Sequence, residues 1–343
     1  MTSRVFEGIR QELALTSDTT KVLVLLSGGL DSTLAVKIML EQGMSVEAVN
    51  FTTPFCLCDK CAVESVGERF GKLVHRVPLG QEFLDLVADP PHGYGSQMNP
   101  CIDCRILMLR KAKEMAQELG AACIVTGDVL DQRPFSQRKD AMHIIEKEAG
   151  LEGKILRPLS TKLLPETEFE KSGMSDRDRL FSIQGRRRQP QMRLAKDYGI
   201  NDYPCPSGGC ILTDPRFARR LKDLLKNSNE LTFRDVALLK IGRHFRVDGC
   251  KIVVGRNEAE NEAFLSMAAR EKKPYLEVAD YMGPITLLGG KNDYEIIKKA
   301  AEITVRYSDA LKEFEADVRY LGDETKTLSV RAAKNEDIER LLI

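Results

Sequence analysis

Residues 21–26, KVLVLL, form a short, almost wholly apolar run. This is the pattern of a strand buried on both faces of a parallel sheet, not of one alternating between core and solvent. SGGLDS at 27–32 interrupts it; TLAVKIMLEQG then places apolar residues at helical spacing up to Gly43, and SVEAVNF returns to strand character. The unit reads strand, turn, helix, strand. In NPCIDCRILMLRKAKEMA, an amphipathic helix opens at Cys101 and runs to about Leu119, followed by the strand ACIVTG at 122–127. The alternation stops near residue 215. Beyond it, HFRV, KIVVGR and PYLEVADYMGPITLLGG read as strands, EAENEAFLSMAARE and DYEIIKKAAEITVRYSDA as helices, and FEADVRY and TLSVRAA as closing strands. The pattern predicts an α/β domain with a parallel sheet over 1–215 and a smaller α+β domain over 216–343.

A chain of 343 residues supports two separate cores. Its 51 basic and 51 acidic side chains cancel, so any surface for nucleic acid must be local. No run approaches the ~20 apolar residues of a membrane span, and MTSRVFEGIRQELAL lacks the layout of a signal peptide. A cytoplasmic protein without a membrane partner is expected. Nine cysteines, an odd number, point to metal or catalysis before a disulfide framework.

Gly28 and Gly29 allow a tight turn in which backbone N–H groups converge at a helix N-terminus, a geometry that binds phosphate. The GxxxxGK[ST] pattern is absent, so the ordinary P-loop reading fails. Cys101 and Cys104 stand at a helix N-terminus, where the dipole favours thiolate, and lowered thiol pKa values are expected. Cys205 and Cys210 sit in the Pro/Gly-rich YPCPSGGCILTDPR. A redox dithiol, a four-thiolate zinc site and an iron–sulfur site are all compatible with this spacing. Cys56, Cys58 and Cys61 in FCLCDKC suggest a second metal or a sulfur relay, while Cys123 and Cys250 suit small apolar roles.

Asp128 follows a strand end, where open α/β sheets place ligands. With Gln132 it is a candidate for positioning magnesium or a base, and Arg133 for phosphate. His75, His92, His143 and His244 show no paired-ligand spacing, and only His143 stands near the candidate motifs. GRRRQPQMR gathers Arg186, Arg187, Arg188 and Arg193, either a solvated face or a salt-sensitive contact with RNA phosphates. Arg219, Arg220 and Lys222 extend it along a following helix.

SGGLDS resembles the PP-loop of the ATP pyrophosphatases. With NPCIDCRILM, IVTGDVLDQRPFSQ, LRPLSTKLLPET, GRRRQPQM and YPCPSGGCILTDP, the stretch from 21 to about 215 resembles the PP-loop tRNA thiouridine synthetases, in particular the bacterial thiouridylase-like proteins related to the 4-thiouridine synthetases. The resemblance implies an adenine nucleotide α-hydrolase-like fold that cleaves ATP between its α and β phosphates. Ser27, Gly28, Gly29 and Ser32 would cradle pyrophosphate, and Asp31, in a turn expected to face solvent, would position Mg2+. A uridine carbonyl oxygen would be adenylated and sulfur would displace AMP, with Asp128 in the catalytic set.

By the same resemblance, Cys101, Cys104 and Cys210 would hold a [4Fe-4S] cluster, leaving Cys205 doubtful. The rival route uses the same three cysteines as persulfide carrier and resolving thiol. VVGRNEAENEAF, GPITLL and the helix ending RYSDA resemble the NFACT-type RNA-binding domain. Longer 4-thiouridine synthetases place a THUMP region before the PP-loop, where this chain has about 20 residues. The grip on tRNA is therefore expected from the C-terminal domain, with inorganic sulfide or a cysteine desulfurase as sulfur donor. The competing functions are a PP-loop amine or ammonia ligase acting on RNA or a small molecule, and a non-catalytic RNA-binding quality-control factor.

Overall fold

The computed structural model describes residues 19–57, 60–71, 74–201, 203, 209–228, 230–290 and 293–343, with 60–62 as backbone only. The chain divides into two compact units between Thr213 and Asp214. Among the described residues, no helix is long and apolar enough to cross a membrane.

The first unit runs β1 (Lys21–Leu25), α1 (Leu30–Glu41), β2 (Ser45–Thr52), α2 (Lys60–Phe70), β3 (Val74–Pro78), α3 (Gln81–Ala88), α4 (Cys101–Leu119), β4 (Cys123–Thr126), α5 (Lys139–Ala149), β5 (Ile155–Leu156), α6 (Glu168–Lys171) and α7 (Gln189–Asp197). Its strands form one parallel sheet in the order β3-β2-β1-β4-β5. The apolar run at 21–25 lies at the centre, Val22 pairing with Val46 on one side and Cys123 on the other. Val22, Val24, Leu34, Ile38, Val125 and Leu156 share one core, each contributing about 1.5–3 kcal/mol by burial. Sheet order reverses between β1 and β4, which opens a crevice at their carboxyl ends where such folds bind ligands.

The segment 176–198 wraps α1. Arg179 donates to the Glu41 carbonyl at 2.6 Å, Gln42 accepts from the Asp176 N–H at 2.9 Å, and Lys37 lies 5.6 Å from the Tyr198 ring centroid. Helix α7 packs on α1 through buried Gln191 and Ala195, which brings Arg188, at its start, over the first turn of α1.

The second unit contains α8 (Pro215–Asn227), α9 (Phe233–Leu239), β6 (Arg243–Val247), β7 (Cys250–Val254), α10 (Glu258–Glu271), β8 (Tyr275–Val278), β9 (Thr286–Gly289), α11 (Tyr294–Arg306), β10 (Ala316–Leu321), β11 (Thr325–Val330) and α12 (Asn335–Leu341). Its antiparallel sheet has the order β11-β10-β8-β9-β7-β6, and α11 buries Ile296, Ala300, Ile303 and Val305 in the core that includes the sheet residues Ile252, Leu276 and Val318. The expected long strand PYLEVADYMGPITLLGG is instead two, β8 and β9, paired antiparallel. Residues 279–285 connect them, with the chain bending at 279–281.

Candidate active site

The SGGLDS turn closes on itself. Ser32 Oγ donates to the Gly29 carbonyl at 2.9 Å and lies 3.1 Å from Ser27 Oγ, while the Ser27 N–H donates to Ser32 Oγ at 3.2 Å. Gly28 has φ +78°, a left-handed conformation that favours glycine; Gly29 is extended, at φ −82°. Asn50 donates to the Leu26 carbonyl at 2.7 Å and ties the end of β1 to β2. A residue that motif reading missed supports the turn from below. A Cβ on Gly127, at the end of β4, would stand 2.5 Å from the Ser32 nitrogen and 2.6 Å from the Asp31 carbonyl carbon. Only the GD step within IVTGDV hinted at it.

Asp31 is less open than a solvent-facing turn residue, with its side chain 19% exposed. Gln132 donates to its Oδ2 at 3.0 Å, and Arg188 approaches the same oxygen at 3.5 Å. Burial raises its carboxyl pKa against the opposing pull of Arg188, the Gln132 hydrogen bond and Arg133, and the Asp128 charge adds to the rise. Asp31 Oδ1, Gln132 Oε1 and Arg188 Nε are buried without hydrogen-bond partners among the described residues. Orphaned acceptors beside an orphaned donor fit a ligand with both signs of charge, such as a metal-bound phosphate. The basic run therefore divides: Arg188 turns to Asp31 in the SGGLDS turn, and Arg186, Arg187 and Arg193 are exposed.

Asp128 is 7% exposed and fully engaged. Arg105 and Gln137 donate to Oδ1, the latter at 2.8 Å, and Thr126 donates to Oδ2 at 3.0 Å. Burial alone would raise its pKa, but the Arg105 and Arg157 charges, with the hydrogen bonds from Gln137 and Arg105, hold it down at about 2. Arg105 follows Cys104 directly, so this ion pair joins the end of β4 to the helix that carries the cysteines.

Cys101 and Cys104 occupy the first turn of α4, where the Cys104 N–H donates to the Pro100 carbonyl at 2.8 Å and Asn99 donates to Cys101 Sγ at 3.2 Å. Cys210 lies across an antiparallel bridge from Cys56. The expected lowering of the Cys104 pKa is overturned. Burial pushes it up to about 12, the charges of Cys210 and Cys101 add to that, Arg105 opposes it, and Cys56 adds again. Desolvation of the thiolate outweighs the helix dipole. Cys210 is also raised to about 12, by burial first and then by Cys101 and Cys56, against a backbone N–H and Arg133.

Four thiols thus lie close enough to influence one another. Cys58 and Cys205 lie outside the described residues, as does the side chain of Cys61. Among the described residues, no three His, Cys, Asp or Glu side chains are arranged to hold a metal ion. Cys123 and Cys250 are buried in β4 and β7.

The remaining candidates scatter. His92 bridges Asp103 Oδ1 at 2.7 Å and Glu148 Oε1 at 2.9 Å; His75 meets Glu47 at 3.1 Å. His244 is buried and its pKa falls to about 3, chiefly through burial. His143 lines a cleft with Asp131, Arg138, Lys139 and Asp140. In the second unit, Arg220 donates to the Leu239 carbonyl at 3.0 Å, whereas Arg219 and Lys222 are exposed.

Residues 17–162 match the family described as thiamine biosynthesis protein (ThiI), and residues 242–342 match the NFACT protein RNA binding domain. Among solved structures, a 4-thiouridine synthetase in complex with RNA and bound ATP is 24% identical over 64% of this chain and 51% of its own, with a TM-score of 0.37. The chain thus spans about half the length of that synthetase. U34-tRNA thiolase NcsA from Methanococcus maripaludis, solved with its [4Fe-4S] cluster, is 15% identical over 64% of this chain and 72% of its own, at TM-score 0.31. The C-terminal part of the fibronectin/fibrinogen-binding protein FBPS from Streptococcus suis is 12% identical over 71% of this chain and 94% of its own, at 0.27. The family matches fall on the two stretches whose motifs carry the resemblances: the first is similar to the ThiI family and the second to the NFACT RNA-binding domain.

Proposed function

We propose that this protein is an ATP-dependent tRNA sulfurtransferase that thiolates a uridine. The observation that carries the reading is the Arg105–Asp128 pair, which ties a nucleotide turn with orphaned charged groups to a set of facing thiols. A phosphate-activating site coupled to a nucleophilic sulfur site is what thiolation requires. The uridine carbonyl oxygen attacks the α-phosphorus of ATP and releases pyrophosphate. A sulfide sulfur then adds to the carbon, and AMP departs with the oxygen.

Ser27, Gly28, Gly29 and Ser32 hold the pyrophosphate, and Asp31 Oδ1 is the ligand for Mg2+, which neutralises phosphate charge when bound. Arg188 supplies a second cation to the departing phosphates. Arg105, fixed by Asp128, holds the first turn of α4 beside the turn. Cys101, Cys104 and Cys210 are soft donors of the kind that would hold a [4Fe-4S] cluster, which would offer an iron site for sulfide; as placed, the three do not converge on a metal ion. Their thiols are neutral when protonated, so loading them releases protons. The persulfide route uses the same residues. Cys56 adds a thiol opposite Cys210, and Cys56, Cys58 and Cys61 together are candidates for a second metal or a sulfur relay.

Exposed Arg186, Arg187 and Arg193, with Arg219, Lys222 and the NFACT-type domain, are the groups for tRNA phosphates. The target uridine must leave the stack to reach the site. Inorganic sulfide or a cysteine desulfurase is the sulfur donor.

Mass spectrometry of nucleosides from tRNA of a deletion strain tests the proposal: one thiolated uridine should vanish and return with the wild-type gene but not with Asp31→Ala. Unchanged thionucleosides would overturn it. Loss of an amine-bearing base instead would indicate the ligase reading.

A further inference from the structure

The bridge between Cys56 and Cys210 is a particular kind of antiparallel contact. The Leu57 N–H donates to the Gly209 carbonyl at 3.2 Å, and the Ile211 N–H donates to the Phe55 carbonyl at 2.9 Å. The bonds are thus made by the residues flanking each cysteine, and the cysteines form the non-hydrogen-bonded pair between them. In such a pair, opposed Cα atoms lie about 4.5 Å apart with both side chains on the same face. Disulfides span Cα separations of about 4.4–6.8 Å. The electrostatic influence of Cys56 on Cys210 is consistent with the two sulfurs facing each other.

Both arms of the bridge are anchored beside the cysteines. Phe55 is fully buried, its ring 6.0 Å from that of Phe83, and Leu212 is 1% exposed. The Cys56 N–H donates to the Thr53 carbonyl at 3.1 Å, and Thr213 Oγ1 to the Cys210 carbonyl at 2.8 Å. At the separation typical of such a pair, a disulfide can close by rotation of the side chains.

We propose that Cys56 and Cys210 are a redox-active dithiol that closes into a cross-strand disulfide. The oxidant is a low-molecular-weight disulfide. One thiolate of the pair attacks it, releasing one small thiol and leaving a mixed disulfide. The second thiolate then displaces the other small thiol, so the pair loses two electrons and two protons and one disulfide becomes two thiols. The closed form withdraws Cys210 from Cys101 and Cys104. Only this last consequence rests on the thiolation reading; the dithiol itself stands on the bridge geometry.

The test uses the full-length protein, reduced and then equilibrated with graded ratios of glutathione and glutathione disulfide, acid-quenched, alkylated and peptide-mapped. The expected product is a peptide linking Cys56 to Cys210, reopened by dithiothreitol, with Cys101 and Cys104 still alkylated. In Cys56→Ser, Cys210 should instead stay alkylatable or carry a single glutathione. Should that variant fail to fold, the alkylation pattern of the oxidised wild type decides alone. Linkage of Cys210 to Cys101 or Cys104, of Cys56 to Cys58 or Cys61, or persistent alkylation of both cysteines throughout would overturn the proposal. A second readout, the ratio of tRNA thiolation in oxidised and reduced samples of one preparation, should fall at the ratio that forms the link. A link without any thiolation in either sample would refute the enzymatic reading and leave the dithiol standing.

Discussion

In the SGGLDS turn, Ser27, Gly29 and Ser32 hydrogen-bond within a few residues of one another, whereas the thiol group draws Cys56, Cys101, Cys104 and Cys210 from three separate stretches. The contrast extends to electrostatics. The turn leaves Asp31 Oδ1 and Arg188 Nε buried without partners, so it holds unmet charge. The thiols are desolvated, and burial with mutual repulsion keeps Cys104 and Cys210 protonated. One site is prepared to receive a charged ligand; the other must lose protons before it binds a cation or acts as a nucleophile. Arg105 and Asp128 connect the two, and the largest perturbation should come from cutting that connection.

Arg105→Met leaves the Asp128 carboxylate buried beside Gln137 and Thr126 without its ion-pair partner. Breaking a buried pair this way costs about 3–5 kcal/mol, and chemical denaturation should record a loss of that order. Adding Asp128→Asn removes the stranded charge and should recover part of the loss. If the double variant is no more stable than the single one, the pair is not the link described. Asp31→Asn acts on the turn alone. It keeps the shape but removes the charge, and pyrophosphate release in the presence of tRNA should fall on the order of 10²-fold while thermal stability stays near wild type.

Gly127→Ala sharpens the contrast from the scaffold side. The added methyl would meet backbone, not a flexible side chain, at 2.5 Å from the Ser32 nitrogen. Overpacking of this kind costs about 1–3 kcal/mol. Nucleotide affinity, measured by calorimetry, should weaken with it, while alkylation rates of Cys101 should not change. Equal loss in both sites would mean that β4 supports them jointly.

These residues also show what could be read before the fold was known. The parallel sheet was legible because residues 22–25 and 123–125 are continuous apolar runs, and the helix from Cys101 because its apolar spacing continues to a left-handed Gly120. The SGGLDS turn was legible as a turn because its contacts are local. Arg105 was invisible: one arginine within an amphipathic helix has no pattern that announces a partner 23 positions away. Arg188 was grouped with its neighbours because a charge run does not reveal which member the packing of α7 on α1 will turn inward. The pKa of Cys104 was misjudged for a related reason, since the dipole follows from helix position but the burial that dominates, and the charge of Cys210 far along the chain, follow only from the fold.

The smallest expected effect separates the sites by pH. Protonated His92 donates through both ring nitrogens, to Asp103 within α4 and to Glu148 within α5, and so holds the thiol helix but not the SGGLDS turn. The Asp103 hydrogen bond is the main cause that raises the His92 pKa above 6.5; burial opposes it and the Asp103 and Glu148 charges reinforce it. Because the folded pKa lies above the unfolded one, the protonated imidazole contributes its full stability below about pH 6.5 and loses it as pH rises through the folded value. The Glu148 side is solvent-accessible, so the contribution is at most about 1 kcal/mol. His92→Gln should therefore lower stability most at pH 6 and progressively less toward pH 9. Hydrogen exchange should place the change in the first turns of α4, with the amides of Gly29–Thr33 unaffected. An equal deficit at both pH values would show that His92 acts through packing, and protection lost equally in the SGGLDS turn would mean that the two sites open as one.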